Sequence, residues 1–176
     1  YNLSLADGCY RNFDLDVAVS APPLASIAIA GSGAHTLQSM TIPERIALSA
    51  SGSGSLIARG LIEAPDRIDV DVDGASLIEL SLETSDLNIL LSGSGTIRAT
   101  GQAEGQLVDI SGSGRYLAFG LTSTSATVTL SGSAVAEVSA SERLDATISG
   151  SAILSYRGQP IISSSIDGSG AIVDAN

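Results

Sequence analysis

The sequence predicts an all-β chain wound as a single-stranded, right-handed parallel β-helix (a solenoid) of about eight coils. Three observations predict it. A short phrase, Ser-Gly-Ser-Gly, returns at a near-constant interval. Strands with one apolar face, rich in Val and Ile, lead into each copy. No stretch sustains a helical period with caps over three turns.

The phrase is complete at Ser51-Gly52-Ser53-Gly54, Ser92-Gly93-Ser94-Gly95 and Ser111-Gly112-Ser113-Gly114. Worn copies stand at Ala30-Gly31-Ser32-Gly33, Asp73-Gly74-Ala75-Ser76, Ser131-Gly132-Ser133-Ala134, Ser149-Gly150-Ser151-Ala152 and Asp167-Gly168-Ser169-Gly170. The first glycines fall at 31, 52, 74, 93, 112, 132, 150 and 168, so the steps are 21, 22, 19, 19, 20, 18 and 18 residues. A period of this length marks units that bury a core only by stacking on their neighbours.

The flanks choose the kind of solenoid. Four and two residues before the marker glycines come Ile27/Ile29, Leu48/Ala50, Val70/Val72, Ile89/Leu91, Val108/Ile110, Val128/Leu130, Ala146/Ile148 and Ser164/Ile166. Six before them the column reads Ala25, Ile46, Ile68, Leu87, Gln106, Ala126, Leu144 and Ile162. Apolar residues at every second position describe a strand buried on one face. Four residues after the glycine runs a further column: His35, Leu56, Ile78, Ile97, Tyr116, Ala136, Leu154 and Ile172. Gly60, Gly101, Gly120 and Gly158, eight after, are expected to mark a second corner. Each unit thus reads strand, glycine corner, strand, second corner and a variable return. Handedness follows from the right-handed preference of parallel crossovers. Eight coils at about 4.8 Å make a rod of about 35 Å.

Glycine suits corners that turn within two or three residues, because such turns call for positive φ. Stacked coils then place Ser32, Ser53, Ser94, Ser113, Ser133, Ser151 and Ser169 in one file, pointing inward or outward.

Residues 1–24 precede the helix proper (25–176), in what is overall one structural domain. Phe13, Leu15, Val17 and Val19 alternate with polar or small residues, predicting a strand that Ala21-Pro22-Pro23 ends, and Tyr1, Tyr10 and Phe13 make the segment a natural cap. Leu5-Ala6-Asp7-Gly8-Cys9 has a passing likeness to a lipoprotein cleavage site but lacks the hydrophobic stretch before it. No amphipathic helix follows the last coil, so association of copies through the C-terminal coil is an expected route to a homo-oligomer.

Charge excludes some partners. The formal net charge is −11, with eight arginines and no lysine, which disfavours nucleic acid and anionic lipid. No apolar run reaches transmembrane length, so direct membrane insertion is not expected. Cys9 is the only cysteine, which excludes an intramolecular disulfide and Cys-rich metal sites.

Several constellations invite chemistry. Asp69, Asp71 and Asp73, near Asp66, alternate with Ile68, Val70 and Val72 and so share the outward face of one strand. With carboxylates from adjacent coils they are a candidate for Ca²⁺; the plainer reading is a solvated acidic face that guards against edge pairing. No other cofactor is expected. Tyr116, Phe119 and Tyr156 are a candidate ligand patch, or else core. Thr122 to Ser125, with Thr127 and Thr129, offer hydroxyls to a regular surface, though mostly within one coil. Pro43-Glu44-Arg45, Pro65-Asp66-Arg67 and Ser141-Glu142-Arg143 stand at one offset from their glycines and read as turn chemistry with local charge pairing. No glycine phrase is followed by the Lys of a phosphate loop, and Gly-x-Ser-x-Gly is absent. His35, the one histidine, falls in an apolar column and reads as a packed or capping residue.

The recurring Ser-Gly-Ser-Gly between short Val/Ile strands, with a Phe strand like Arg11-Asn12-Phe13-Asp14-Leu15, resembles the bacterial auto-transporter adhesin head GIN domain, from about residue 11 to the end. The resemblance implies a secreted, periplasmic or surface-tethered right-handed β-helix and supplies no catalytic residues. The chain departs from the pattern in its third coil and in lacking lysine. The expected function is a non-enzymatic, extracytoplasmic, adhesin-like binding or structural module presenting flat faces to a glycan or a cell-surface protein. The alternatives are a polysaccharide-active β-helix enzyme and a self-assembling surface scaffold.

Overall fold

Each marker glycine lies directly over the next. The register runs Gly31, Gly52, Gly74, Gly93, Gly112, Gly132, Gly150, Gly168 without a slip. The structure, a computed structural model, describes residues 26–176. The expected opening strand and cap, with Cys9, lie outside the described residues.

The described chain forms twelve strands: β1 (Ser26–Gly31), β2 (Ala34–Leu37), β3 (Met40–Thr41), β4 (Arg45–Gly52), β5 (Ser55–Gly74), β6 (Leu77–Gly93), β7 (Thr96–Gly112), β8 (Arg115–Gly132), β9 (Val135–Gly150), β10 (Ile153–Arg157), β11 (Ile161–Gly168) and β12 (Ala171–Asp174). Every pairing among them is parallel, and together they form a β-solenoid of about eight turns. The pairing path is β1-β4-β5-β6-β7-β8-β9-β10-β12, with β2 and β3 on β5 and β11 on β9. Middle coils are single bent strands of 16 to 20 residues, broken only at the Ser-Gly corner.

The corner requires glycine for two separate reasons. All eight marker glycines have φ between 91° and 119°, where a side chain is strained. Neighbouring backbones also pass close by: a Cβ at Gly93 would stand 2.7 Å from the Gly74 carbonyl oxygen. That carbonyl accepts from Ser94 N–H at 2.9 Å, so it cannot retreat without breaking a coil-to-coil bond.

The second corner differs from the expectation. Only Gly101 and Gly158 adopt positive φ, whereas Gly60 and Gly120 do not. Gly101 lies opposite Leu121 and Gly120 opposite Thr100, so these glycines do not stack into one file. The cause is unequal coil length. The surplus residues are absorbed here as register shifts, between Leu117 and Thr122 for example, while the Ser-Gly corner stays in phase.

The inward columns bury as the alternation predicts: Ile46, Ile68, Leu87, Val70, Val108, Ile110 and Val128 are all 3 % exposed or less. His35 departs from its column and is exposed, while Leu56, Ile78 and Ile97 above it are buried. The serine file points outward, since Ser32, Ser53, Ser94, Ser113, Ser133, Ser151 and Ser169 are exposed. The next position points inward, and there Gly54, Ser76, Gly95, Gly114, Ala134 and Ala152 are buried. Only a small residue fits, because a Cβ at Gly114 would lie 2.6 Å from Leu91 Cδ2. Gly114→Ala is therefore expected to cost about 1–3 kcal/mol by overpacking. Urea unfolding checks this; an unchanged midpoint would mean the coils spread freely.

One polar chain crosses the core. Tyr116 Oη donates to Gln106 Oε1 at 2.8 Å, Gln106 Nε2 donates to Ser123 Oγ at 2.9 Å, and Ser123 Oγ donates to Ser139 O at 2.8 Å. Gln106, the polar member of an apolar column, is thus satisfied by partners on its own coil's neighbours. Burial pushes the Tyr116 phenol well above the ordinary tyrosine range.

At the C-terminal end β11 is exposed along its whole length, with Ile161 at 81 % and Ile162 at 40 %. It pairs with β9 alone among the described strands, so its inward positions Ile162 and Ile166 face the open end of the stack.

Candidate functional site

The second bend, where the register shifts gather, builds a groove along the solenoid axis. Its floor is a file of small buried residues in register, Ala64, Thr84, Ala103, Ser123 and Ala140. One wall is the file Thr41, Glu63, Glu83, Gln102 and Thr122, also in register. The other wall consists of Pro65, Ser85, Glu104, Thr124 and Ser141, each one residue beyond a floor position. The groove is shallow and open to solvent along its length, with a volume of ≈ 830 Å³. Five coil steps at 4.8 Å give it a length of about 24 Å.

The floor side chains turn inward: Ala64, Ala103 and Ala140 belong to the core, and Ser123 Oγ accepts from Gln106 Nε2. The concavity is therefore floored by backbone and lies between the two outward-pointing walls. Thr84 donates to Asp86 O at 3.2 Å, and Ser123 is held by the buried chain from Gln106. The floor is therefore anchored to the core. On the wall, Thr41 Oγ1 donates to Glu63 Oε2 at 2.9 Å. The lining offers carboxylates, an amide and hydroxyls, and it has no aromatic ring. The sequence carried a signal for the floor, because 64, 84, 103, 123 and 140 stand nine or ten residues before a marker glycine. Counting forward from the preceding glycine hides it, since that offset varies from 8 to 12.

Asp69, Asp71 and Asp73 do share the outward face of β5. Their register neighbours are Ala47, Ser49 and Ser51 on one side and Asn88, Leu90 and Ser92 on the other, so the adjoining coils add no carboxylate. Asn88 Nδ2 donates to Asp69 Oδ1 at 2.9 Å. Asp71 and Asp73 border a small depression of ≈ 190 Å³. Among the described residues no three acidic, His or Cys groups converge to hold a metal ion. Adding Ca²⁺ is accordingly expected to leave Tm unchanged; a saturable rise would show a site.

The three aromatic candidates do not form one exposed patch. Tyr116 is wholly buried, because its column faces inward and its hydroxyl is taken by Gln106. Phe119 is half-buried beneath Arg157, whose Cζ lies 4.3 Å from the ring centroid. Tyr156 packs against the core, with Asp174 beside its phenol. The hydroxyl run also divides, with Thr122 and Thr124 walling the groove, Ser123 on its floor, and Thr127 and Thr129 on the marker-strand face.

Arginines pair between and along coils rather than within their turn triads. Arg67 Nη2 lies 3.9 Å from Asp86 Oδ2 on the next coil, and Arg98 Nη1 lies 2.7 Å from Glu79 Oε1. Arg143 Nη2 bonds Asp145 Oδ1 at 2.8 Å, which holds that carboxyl below the usual range. No helix among the described residues is long and apolar enough to cross a membrane.

Known proteins share this architecture. The model of the family described as "Putative auto-transporter adhesin, head GIN domain" matches residues 3–160. The chain belongs to this family. Its members are adhesin-like, of a cell-surface or extracytoplasmic kind. A crystal structure described as a putative lipid binding protein from Parabacteroides distasonis superposes with TM-score 0.82 at 29% identity, over 87% of this chain and 62% of that one. A putative adhesin from the same species gives TM-score 0.81 at 23% identity, over 86% and 64%. A putative adhesin from Bacteroides fragilis gives 0.77 at 16%, over 87% and 93%. The GIN-domain chain spans less than two thirds of the first two structures' chains. No curated protein matches it.

Proposed function

We propose that this GIN-domain chain is a non-enzymatic binding module that holds an extended hydrophilic polymer, a glycan, along the lateral groove. The observation that carries the reading is the groove itself, which crosses the coils with its polar walls in register. Its size falls in the range of ligand sites, about 300–1,000 Å³. Rigid strands on both sides give it shape without ordering cost on binding. The polar lining suits a hydroxylated chain rather than an acyl tail, although one structural relative is described as lipid binding.

The placement we propose is periplasmic, outer-membrane-tethered or secreted. A glycan-active enzyme would need an acid and a base flanking one bond. Glu63 and Glu83 lie in register on one wall and Glu104 stands on the other, one coil on, so an assay for turnover has to accompany any binding measurement. Calorimetry with oligosaccharides of six or more sugars, alongside a reducing-end assay, tests the reading. Saturable binding without turnover is expected, lost in Thr124→Arg, whose long side chain reaches from the exposed wall across the groove and leaves the core untouched. Turnover would make the chain an enzyme, and binding unaffected by Thr124→Arg would place the site elsewhere.

The apolar edge at β11 favours a second reading, association of copies through the C-terminal coil. Light scattering over a concentration series checks it: growth in mass that Ile162→Lys abolishes is expected, and a monomer throughout would refute it.

A further inference from the structure

We infer that the polymer in the groove carries positive charge along its length, so that the ligand is an oligosaccharide bearing free amines. This rests on the groove being the binding site.

The groove gathers three carboxylates with no cation among its lining residues. Elsewhere several acids meet charged or amide donors, Asp86 with Arg67, Glu79 with Arg98, Asp145 with Arg143 and Asp69 with Asn88, whereas Glu63 meets the neutral hydroxyl of Thr41. In the groove Glu63 and Glu83 are direct register partners, and Glu104 stands on the opposite wall one coil on. No arginine or histidine lines it. Like charges facing one another across adjacent strands oppose pairing. Here they also border one concavity, so their fields add along it.

A single small cation is a poor answer to that charge, because no three of these groups converge on one point. Charges spread along a chain fit better, each meeting a carboxylate on a different coil. Between them Gln102 and Thr124 supply donors and acceptors for sugar hydroxyls, and Thr41 and Thr122, whose protons go to Glu63 and to Gly101 O, supply acceptors. The lining has no aromatic or long aliphatic side chain to receive the apolar stem of a basic peptide side chain. That favours an amino-sugar chain over a peptide strand.

The test uses calorimetry on the intact chain at mildly acidic pH, where sugar amines are protonated and carboxylates ionised. The probes are equal-length oligomers of glucosamine, N-acetylglucosamine and galacturonic acid, plus an oligolysine peptide. The glucosamine oligomer is expected to bind most tightly and to weaken with added salt. Glu63→Gln with Glu83→Gln should weaken it roughly tenfold, the loss of charge-assisted hydrogen bonds to the ligand. Asp71→Asn with Asp73→Asn, which removes equal charge from another face, should leave it unchanged. These substitutions fold readily, since Glu83→Gln relieves a like-charge contact.

Four results would overturn the inference. Tighter binding of the acetylated or acidic oligomer would do so while leaving the groove as a glycan site. Tighter binding of oligolysine would replace the sugar with a peptide. An equal loss in both double variants would reduce the effect to net charge. No binding by any oligosaccharide would take down the groove reading itself.

Discussion

Gly93→Ala should lower stability by about 2–6 kcal/mol, the sum of forcing alanine into a left-handed backbone and pressing its methyl group on the coil below. Both causes are explicit at this site. Gly93 has φ 106°, and a Cβ there would lie 2.7 Å from Gly74 O, which is held by Ser94 N–H. Gly105→Ala is the control, because that glycine is outside the positive-φ set and its Cβ would meet only the ends of Asp86 and Ser125 side chains. It should change stability by less than about 1 kcal/mol, of either sign. Urea unfolding followed by far-ultraviolet circular dichroism separates them. Equal losses in the two variants would mean that glycine serves general chain flexibility and not stacked corners.

Tyr116→Ala should cost about 3–5 kcal/mol by leaving a ring-sized cavity in a narrow core. Tyr116→Phe isolates the hydroxyl. It keeps the packing and strips Gln106 Oε1 of its donor at 2.8 Å, so about 1–3 kcal/mol should be lost. Adding Gln106→Leu to Tyr116→Phe should recover part of that loss, because a carbonyl with no partner costs more than an apolar pair. If Tyr116→Phe unfolds at the wild-type midpoint, the buried chain from Tyr116 to Ser139 contributes nothing and the account of Gln106 fails.

The solenoid was legible because its signals repeat in phase. Glycine at 31, 52, 74 and onward, with Val and Ile two and four residues before, states both where the chain turns and which face is dry. Eight copies average out a worn one such as Asp73-Gly74-Ala75-Ser76. Features that occur once were harder to read. Tyr116 stands in an inward column yet suggested a ligand patch, since one aromatic among aliphatics carries no periodic cue about its hydroxyl's partner. The acids of β5 announced themselves by alternation, but what decides metal binding is the neighbouring coil, and Ala47 to Ser51 and Asn88 to Ser92 bring no carboxylate there.

The groove was the least visible feature for a physical reason. It forms on the return, where coil length varies and corners need not coincide, so forward counting loses its small floor residues. Glycines at 60, 101, 120 and 158 looked like one corner and are not, because the register slides beneath them. Sites of variable length escape a fixed-period reading, and binding surfaces gather at such segments.

Disulfide trapping tests the stacking most directly. In a Cys9→Ser background, cysteines replace Ser111 with either Ser131, its register partner one coil on, or Ser149, two coils on. Stacked strands place the first pair about 4.8 Å apart, within disulfide range, and the second at about twice that, beyond it. Peptide mass analysis after mild oxidation should therefore find a bond within the 111/131 chain and none within the 111/149 chain. Bonding in the 111/149 chain, or its absence in 111/131, would contradict the coil-on-coil register.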